Sequence, residues 1–228
     1  MIPIRDNIVS REKPILVYTL IGLLVLIYFW DRGGGLSGPS IAFADLTFRP
    51  REVIKGFTSL GDPMAFAKIF TSMFLHGNLA HLIGNILFLW AFGPNVERAI
   101  GGMRFALYYL FWGILAAGAH IFVDPASMTP VLGASGAIGG VLGAYFLLFP
   151  GSRVSVVIPP LFFLPFQVAS WVLLGGWFLF QIFLPQQGVA NWAHAGGFLA
   201  GMLTILMLGG RKKVLAGRDF KELEDDDD

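Results

Sequence analysis

The sequence contains no cysteine among its 228 residues. This absence excludes disulfides, cysteine nucleophiles and thiolate metal ligands, and it leaves the redox compartment undetermined. Charge is also scarce, because only 14% of the residues are Asp, Glu, Lys or Arg, against about 25% in soluble domains. The net charge of +1 gives no strongly basic surface that would point to nucleic acid as a partner. Since 55% of the residues are hydrophobic, the composition places the chain in a lipid bilayer.

Six apolar stretches divide the chain, at residues 14–30, 79–96, 105–123, 132–149, 162–184 and 190–208. Each is near the ~20 residues that an α-helix needs to cross a hydrocarbon core about 30 Å thick. The pattern predicts an all-α polytopic membrane protein with a six-helix domain over residues 14–208. We expect residues 1–13 to form a cytoplasmic segment before this domain and residues 209–228 to form a cytoplasmic, disordered tail after it. The first stretch is longer than the roughly 7–15 apolar residues of a signal peptide, so we expect it to be retained.

The distribution of Lys and Arg predicts the orientation of the helices. With six spans both termini share one side, and the segments on that side contain 11 of the 16 basic residues, against 5 on the other. Positive charge is enriched in cytoplasmic segments, so we expect both termini in the cytoplasm. The chain shows no Arg- and Ser-rich presequence, which favours a bacterial inner membrane over an organelle.

The connection at residues 31–72 is long and unusually apolar for a loop. Its hydrophobic residues include Ile41, Phe43, Phe57 and Leu60, separated by prolines. We expect this loop to lie at the membrane interface as short amphipathic helices. The acidic residues 222–228 have the opposite character, and we expect them to form a disordered, solvated tail.

A serine opens the fourth apolar stretch, within Gly133-Ala134-Ser135-Gly136. A hydroxyl among small residues at the mouth of a membrane-type helix is a candidate nucleophile. The tetrapeptide alone is weakly specific, because serine in membrane helices commonly bonds to a carbonyl one turn earlier. The strand-turn-helix setting of a soluble hydrolase elbow is also missing.

A histidine in the last apolar stretch gives Ser135 a possible base. His194 is followed at positions i+3 and i+7 by Gly197 and Gly201, so the three share one helical face. An ionisable residue at membrane depth is by default a functional candidate, and bare glycine faces allow two helices to approach closely. The alternative is glycine-mediated packing around a buried histidine, and we favour the Ser-His pair.

Carboxylates are missing from the neighbourhood of this pair. Glu97, Asp124 and Asp62 all fall at the ends of apolar stretches or in loops. The predicted unit is therefore a Ser-His dyad and not a Ser-His-Asp triad. A dyad is physically reasonable at membrane depth, because a buried carboxylate would add a large desolvation cost.

His81 and Asn85 are separated by four residues in the second apolar stretch and so project from the same helical face. Their side chains can donate hydrogen bonds to the oxyanion that forms during acyl transfer, together with the N–H of Ser135. They could instead only join helices. A metal site of His76, His81 and His194 is disfavoured, because no carboxylate accompanies them and His76 and His81 do not share a face. We predict no metal and no cofactor, and we assign no chemistry to His120.

With these residues in place, the chain resembles the rhomboid family of intramembrane serine proteases over roughly residues 68–201. The resemblance rests on Phe74-Leu75-His76-Gly77-Asn78 with His81 and Asn85, Val96-Glu97-Arg98 before Gly101, Gly133-Ala134-Ser135-Gly136, and Ala193-His194-Ala195-Gly196-Gly197. It implies a six-helix core with Ser135 as nucleophile and His194 as general base, and an oxyanion hole of His81, Asn85 and the Ser135 N–H. It also implies single-span transmembrane proteins as substrates and contact with membrane lipids. The fifth stretch, with Trp171 and Trp177, would be the lateral gate.

Two positions depart from the family pattern. The Trp-x-Arg of the first loop is Phe66-Ala67-Lys68 here, and Gly139 stands where many relatives carry an aromatic that stacks on the catalytic histidine. The alternatives to a protease are an inactive relative that binds transmembrane helices and a small transporter. An inactive relative usually lacks the serine or the histidine, and a transporter would show internal repeats with interrupted spans, of which the sequence gives no convincing sign.

Overall fold

The computed structural model describes residues 1–38, 43–56, 63–158, 162–186 and 188–223. Ile41, Phe57, Leu60 and Asp62 lie outside these ranges, as do residues 224–228 of the acidic tail. The described part of the chain is mostly helical. Its helices are α1 (Ile15–Asp31), α2 (Phe43–Leu46), α3 (Pro50–Gly56), α4 (Ala67–Ser72), α5 (Leu79–Ile100), α6 (Gly102–Val123), α7 (Ser135–Leu148), α8 (Ser170–Phe183), α9 (Asn191–Met207) and α10 (Gly210–Val214).

Two of these helices, α5 and α6, are long and apolar enough to cross a membrane, at 22 residues each. At 1.5 Å per residue each extends about 33 Å, which matches the hydrocarbon core. Three shorter apolar helices, α1, α7 and α8, accompany them. Large apolar side chains also point outward from the bundle, as Phe122 (86% exposed) and Met207 (87% exposed) illustrate. Lipid, and not water, suits such a surface.

The central helix is α7, which packs against α5, α6 and α9. Most of its residues are small or aliphatic, and nearly every one from Ala137 to Tyr145 is buried. Added methyl groups at Gly143, Gly197 or Gly201 would collide with backbone carbonyl groups of the facing helix. Helices α7 and α9 are therefore in direct backbone contact. The predicted close packing of the two glycine faces is confirmed.

The sequence prediction of one continuous span over residues 162–184 is wrong in its first third. Residues Phe162–Ala169 form strand β4, and the helix begins only at Ser170. Strand β4 pairs antiparallel with β3 (Arg153–Ile158), which pairs in turn with β1 (Ile2–Asp6). The backbone of this apolar run is thus paired with β3 along one edge. The Ser170 hydroxyl then donates to the Phe149 and Pro150 carbonyls where the chain turns into α8.

The two ends of the chain lie side by side at the end of the bundle away from Ser135. Strand β2 (Ile8–Val9) pairs antiparallel with β5 (Lys221–Glu222). Residues 210–223 therefore differ from the expected disordered tail, since they include α10 and a paired strand. Pairing with β2 supplies the partner that the tail composition alone does not reveal.

Two carboxylates, the buried Glu97 and the half-buried Asp6, fix the N-terminal segment to the helices. Glu97 accepts the N–H groups of Leu16 and Val17 at 3.0 and 2.7 Å, and so binds two donors at the start of α1 that have no intrahelical partner. Asp6 accepts from Asn95 Nδ2 at 2.7 Å and from the Tyr145 hydroxyl. The second contact ties β1 to α7, the helix that begins with Ser135.

The first loop covers the start of α7. Its described residues include the short helices α2 to α4, and their location at a membrane interface stays a prediction. Thr71 Oγ1 donates to the Leu46 carbonyl at 2.7 Å and holds α4 against α2. Phe48 forms an isolated antiparallel bridge with Val131, and Gly133 N–H donates to the Ser72 carbonyl at 2.9 Å. Residues 131–134, directly before Ser135, are thus partly or fully covered by protein, as irregular backbone at membrane depth requires.

Candidate active site

The structure brings Ser135 and His194 together, as the sequence suggested. Ser135 is the first residue of α7 and His194 lies in the first turn of α9. The Ser135 Oγ atom lies 2.8 Å from His194 Nε2, within the range for a general base and the hydroxyl that it deprotonates. Both side chains are half-buried. Because α7 has 14 residues, its start lies about 21 Å from its far end.

The backbone of Gly133 creates the space on the other side of the serine. Its φ of +115° belongs to the region that favours glycine. A Cβ atom at this position would lie 2.7 Å from His81 Nε2 and 3.6 Å from Asn85 Nδ2. His81 and Asn85 therefore converge on the chain two residues before Ser135. The Ser135 N–H also lies here, among the first helical N–H groups that have no partner within their helix.

His76 joins this group, although the sequence suggested no role for it beyond a disfavoured metal site. Asn85 Nδ2 lies 2.9 Å from His76 Nε2, and the rings of His76 and His81 meet edge to face at 5.1 Å. Burial and the neighbouring His81 lower the pKa of His76 to about 3. Its imidazole is therefore neutral near pH 7, and Nε2 can accept the Asn85 amide proton. This contact orients Asn85.

Gln181 and Trp177 of α8 surround the imidazole of His194, and sequence reasoning missed the first of them. Gln181 Oε1 lies 2.9 Å from His194 Nδ1. The Trp177 ring stacks on the imidazole, with centroids 5.8 Å apart and planes 29° apart. Gln181 is only 6% exposed. The available signal was a lone amide in an otherwise apolar helix, because polar groups at such depth are usually there for a partner.

Glu97 and His120 make no hydrogen bond to the dyad within the part of the chain that the structure describes. Glu97 is occupied at the start of α1. His120 lies near the end of α6, and its buried Nδ1 has no hydrogen-bond partner among the described residues. The described side chains thus offer Ser135 and His194 an amide in place of a carboxylate.

A cavity of about 30 Å³ opens beside Ser135. Its walls come from the first loop, α6, the start of α7 and the start of α9, and include Ile69, Met73, Gly113 and Ala193. Such a volume holds about two water molecules. Small and apolar residues dominate the walls, so the space next to the hydroxyl suits a small side chain or water.

Comparison with known proteins identifies relatives for this arrangement. Residues 63–211 match the family model described as Rhomboid domain. The chain is 30% identical over 201 residues to Rhomboid protease GluP of Bacillus subtilis, covering 88% of this chain and 36% of that protein. It is 32% identical over 146 residues to Rhomboid protein 1, mitochondrial, of Saccharomyces cerevisiae, covering 59% and 40%.

The chain is also similar in sequence to a mammalian protein. The chain is 28% identical over 165 residues to Presenilin-associated rhomboid-like protein, mitochondrial, of Bos taurus, covering 67% of this chain and 41% of that protein. The chain thus spans well under half the length of these relatives. The matched family model covers more than half of the chain, from the first loop to the end of α9. Together with its apolar helices, the match shows that this chain is a membrane protein and belongs to the rhomboid family.

Proposed function

We propose that this protein is an intramembrane serine endopeptidase. The observation that carries the proposal is the Ser135 Oγ–His194 Nε2 distance of 2.8 Å inside an apolar helical bundle. A hydroxyl and an imidazole in hydrogen-bond contact form the minimal pair for nucleophilic catalysis. Ser135 borders the cavity described above, where a peptide carbonyl could approach.

In the proposed reaction His194 Nε2 takes the proton of Ser135 while Oγ attacks the carbonyl carbon of the scissile bond. The resulting oxyanion accepts hydrogen bonds from the Ser135 N–H, His81 and Asn85. His194 then gives the proton to the leaving amine, which departs and leaves an acyl-enzyme on Ser135. One oxyanion donor typically contributes about 10²–10³ in rate.

Hydrolysis of the acyl-enzyme completes the cycle. A water molecule gives a proton to His194 as it attacks the ester carbonyl, and the collapse of the second tetrahedral intermediate returns that proton to Ser135 Oγ. The cavity beside Ser135, about 30 Å³ in volume, has room for the water that this step consumes. No cofactor is needed for either half of the reaction.

We propose single-span transmembrane proteins as the substrates. Ser135 lies below the end of a bundle whose outer surface is apolar, so a substrate helix would reach it from the lipid. The proposed topology has α1, α5, α6, α7, α8 and α9 as six spans, with both termini in the cytoplasm. The basic residues on the terminal side support this orientation, and the bacterial relative Rhomboid protease GluP favours a cell inner membrane.

The test is cleavage of a single-span substrate by the purified protein in liposomes, beside Ser135→Ala and His194→Ala. We expect cleavage by the native protein and its loss in both variants. Ser152→Ala is the matched control, because Ser152 is buried at the far end of α7. Full cleavage by Ser135→Ala would overturn the proposal.

A further inference from the structure

Helix α8 is the element that holds His194 in place. His194 belongs to α9, but the two side chains around its imidazole, Trp177 and Gln181, both come from α8. They lie one helical turn apart, on the same face. Gln181 contacts the ring edge at Nδ1, and Trp177 covers one ring face. The ring is thus fixed in position and in rotation by a neighbouring helix.

The hydrogen bond between Gln181 Oε1 and His194 Nδ1 determines which nitrogen of the imidazole carries the proton. A neutral imidazole carries one N–H, and the partner of one nitrogen decides which nitrogen is protonated. The amide of Gln181 is itself oriented, because its Nε2 donates to the Trp177 carbonyl at 3.4 Å. Its Oε1 therefore faces His194 and can only accept. An acceptor at Nδ1 requires the proton there, which leaves Nε2 free to take the proton of Ser135.

Trp177 supplies an aromatic ring that stacks on His194, a contact that Gly139 does not provide. A Cβ atom at Gly139 would lie 2.7 Å from the His194 carbonyl oxygen, so this position has no room for any side chain. The imidazole instead stacks on Trp177, whose ring also contacts Phe88 and Phe198. The aromatic support has moved from α7 to α8, and close backbone packing of α7 and α9 is retained.

We infer that Gln181 is a positioning residue that selects the Nδ1–H tautomer of His194, with Trp177 stacked on the same ring, so that the base is competent only while α8 is packed against α9. The inference rests on the proposed protease function for its kinetic consequence. The tautomer itself does not depend on that function. A buried amide at membrane depth would be costly without such partners, and here both of its polar atoms are used.

The first test is ¹⁵N NMR of histidine-labelled protein in detergent, which distinguishes a protonated from an unprotonated imidazole nitrogen. We expect His194 to be the Nδ1–H tautomer in the native protein. Gln181→Leu removes the acceptor at similar size and should populate both tautomers. Gln181→Glu keeps an acceptor oxygen and should restore the Nδ1–H form. Gln186→Leu, at an exposed position beyond α8, is the matched control and should change nothing.

The second test is the rate of Ser135 acylation by a fluorophosphonate and of substrate cleavage. We expect Gln181→Leu to lower kcat about 10- to 100-fold with little change in KM, a part of the 10²–10⁴ that a general base supplies. Trp177→Ala should lower kcat similarly, whereas Trp30→Ala, at a 55% exposed position of α1, should not.

The outcomes separate the two proposals. An altered His194 tautomer in Gln181→Leu, with recovery in Gln181→Glu, supports the positioning role whether or not any peptide is cleaved. An unchanged tautomer overturns that role even if the rate falls, because the rate loss would then come from packing alone. Absence of cleavage by the native protein on every substrate would count against the protease proposal and leave the tautomer measurement valid.

Discussion

Gly139→Ala is the smallest change that should separate the two halves of the dyad. The added Cβ atom would lie 2.7 Å from the His194 carbonyl oxygen and 3.3 Å from the Phe198 amide nitrogen. Ordinary contact begins near 3.4 Å, so the methyl group enters the α9 backbone by about 0.7 Å. Backbone cannot rotate aside as a side chain can. We therefore expect α9 to move away from α7 at the level of the dyad.

The size of this movement sets the expected loss. The Ser135 Oγ–His194 Nε2 distance is 2.8 Å, and a shift of about 0.7 Å brings it to the outer limit of a hydrogen bond. A misplacement of about 1 Å in a catalytic group can cost about 10²-fold in rate. Overpacking of this kind also costs about 1–3 kcal/mol in stability. We predict a loss of fluorophosphonate labelling of about 10- to 100-fold, with a lower thermal unfolding temperature.

The assay is the second-order rate of labelling in detergent, measured beside Gly118→Ala. Gly118 lies in α6, and beyond its own helix backbone no atom of the described residues lies within 4 Å of a Cβ added there. Alanine in a helix interior is favoured over glycine by about 1 kcal/mol, so this control should keep its labelling rate and its stability. Labelling of Gly139→Ala within twofold of the native rate would refute the reasoning from backbone contact.

Three further changes test other parts of the structure. Asn85→Ala should slow cleavage about 10²–10³-fold without changing the helical content by circular dichroism, because it removes one proposed oxyanion donor; an unchanged rate would exclude Asn85 from that role. Glu97→Ala leaves two N–H groups of α1 without an acceptor and should lower stability by about 1–3 kcal/mol in a denaturation series. Burial raises the pKa of Asp6 above its ordinary 3.8 despite opposing hydrogen bonds from Tyr145 and Asn95. The folded state therefore binds the Asp6 proton more tightly than the unfolded state does. The contribution of Asp6 to stability declines as the pH rises from the pKa of the unfolded state through the higher pKa of the folded state. Asp6→Asn should lack that decline in thermal unfolding followed against pH.

Those site residues were predictable whose roles follow from the spacing of residues within one helix. Ser135 stands out because small residues flank it, and His194 because glycines follow it on one helical face. His81 and Asn85 share a face at a separation of four residues. Each of these signals depends on one helix only, and the structure brings all four residues to the same end of α7.

Gln181 was not predictable by the same reasoning. It lies 13 residues before His194 on a different helix, and its role depends on how α8 rotates against α9. Trp177 was assigned by resemblance to a lateral gate, and its contact with His194 follows from the same rotation. The sequence shows Gly139 without the usual aromatic, but only the packing of three helices shows which ring takes its place.

The fold was predictable in its helices and not in its strands. Hydrophobic periodicity and length locate the apolar segments within a few residues. The run from Phe162 to Ala169 is as apolar as a span, so composition alone extends the helix backward through it. Its partner is the strand at residues 153–158, which pairs on its other side with residues 2–6, so this sheet joins segments about 150 residues apart. Local patterns carry no information on such a contact.

The central claim is that Ser135 is a nucleophile activated by His194. The most direct measurement is mass spectrometry of the native protein after reaction with a fluorophosphonate in detergent, with peptide mapping of the adduct. The account predicts a single adduct on Ser135, which is lost in Ser135→Ala and strongly reduced in His194→Ala. An adduct on another residue, or labelling of His194→Ala at the native rate, would contradict it.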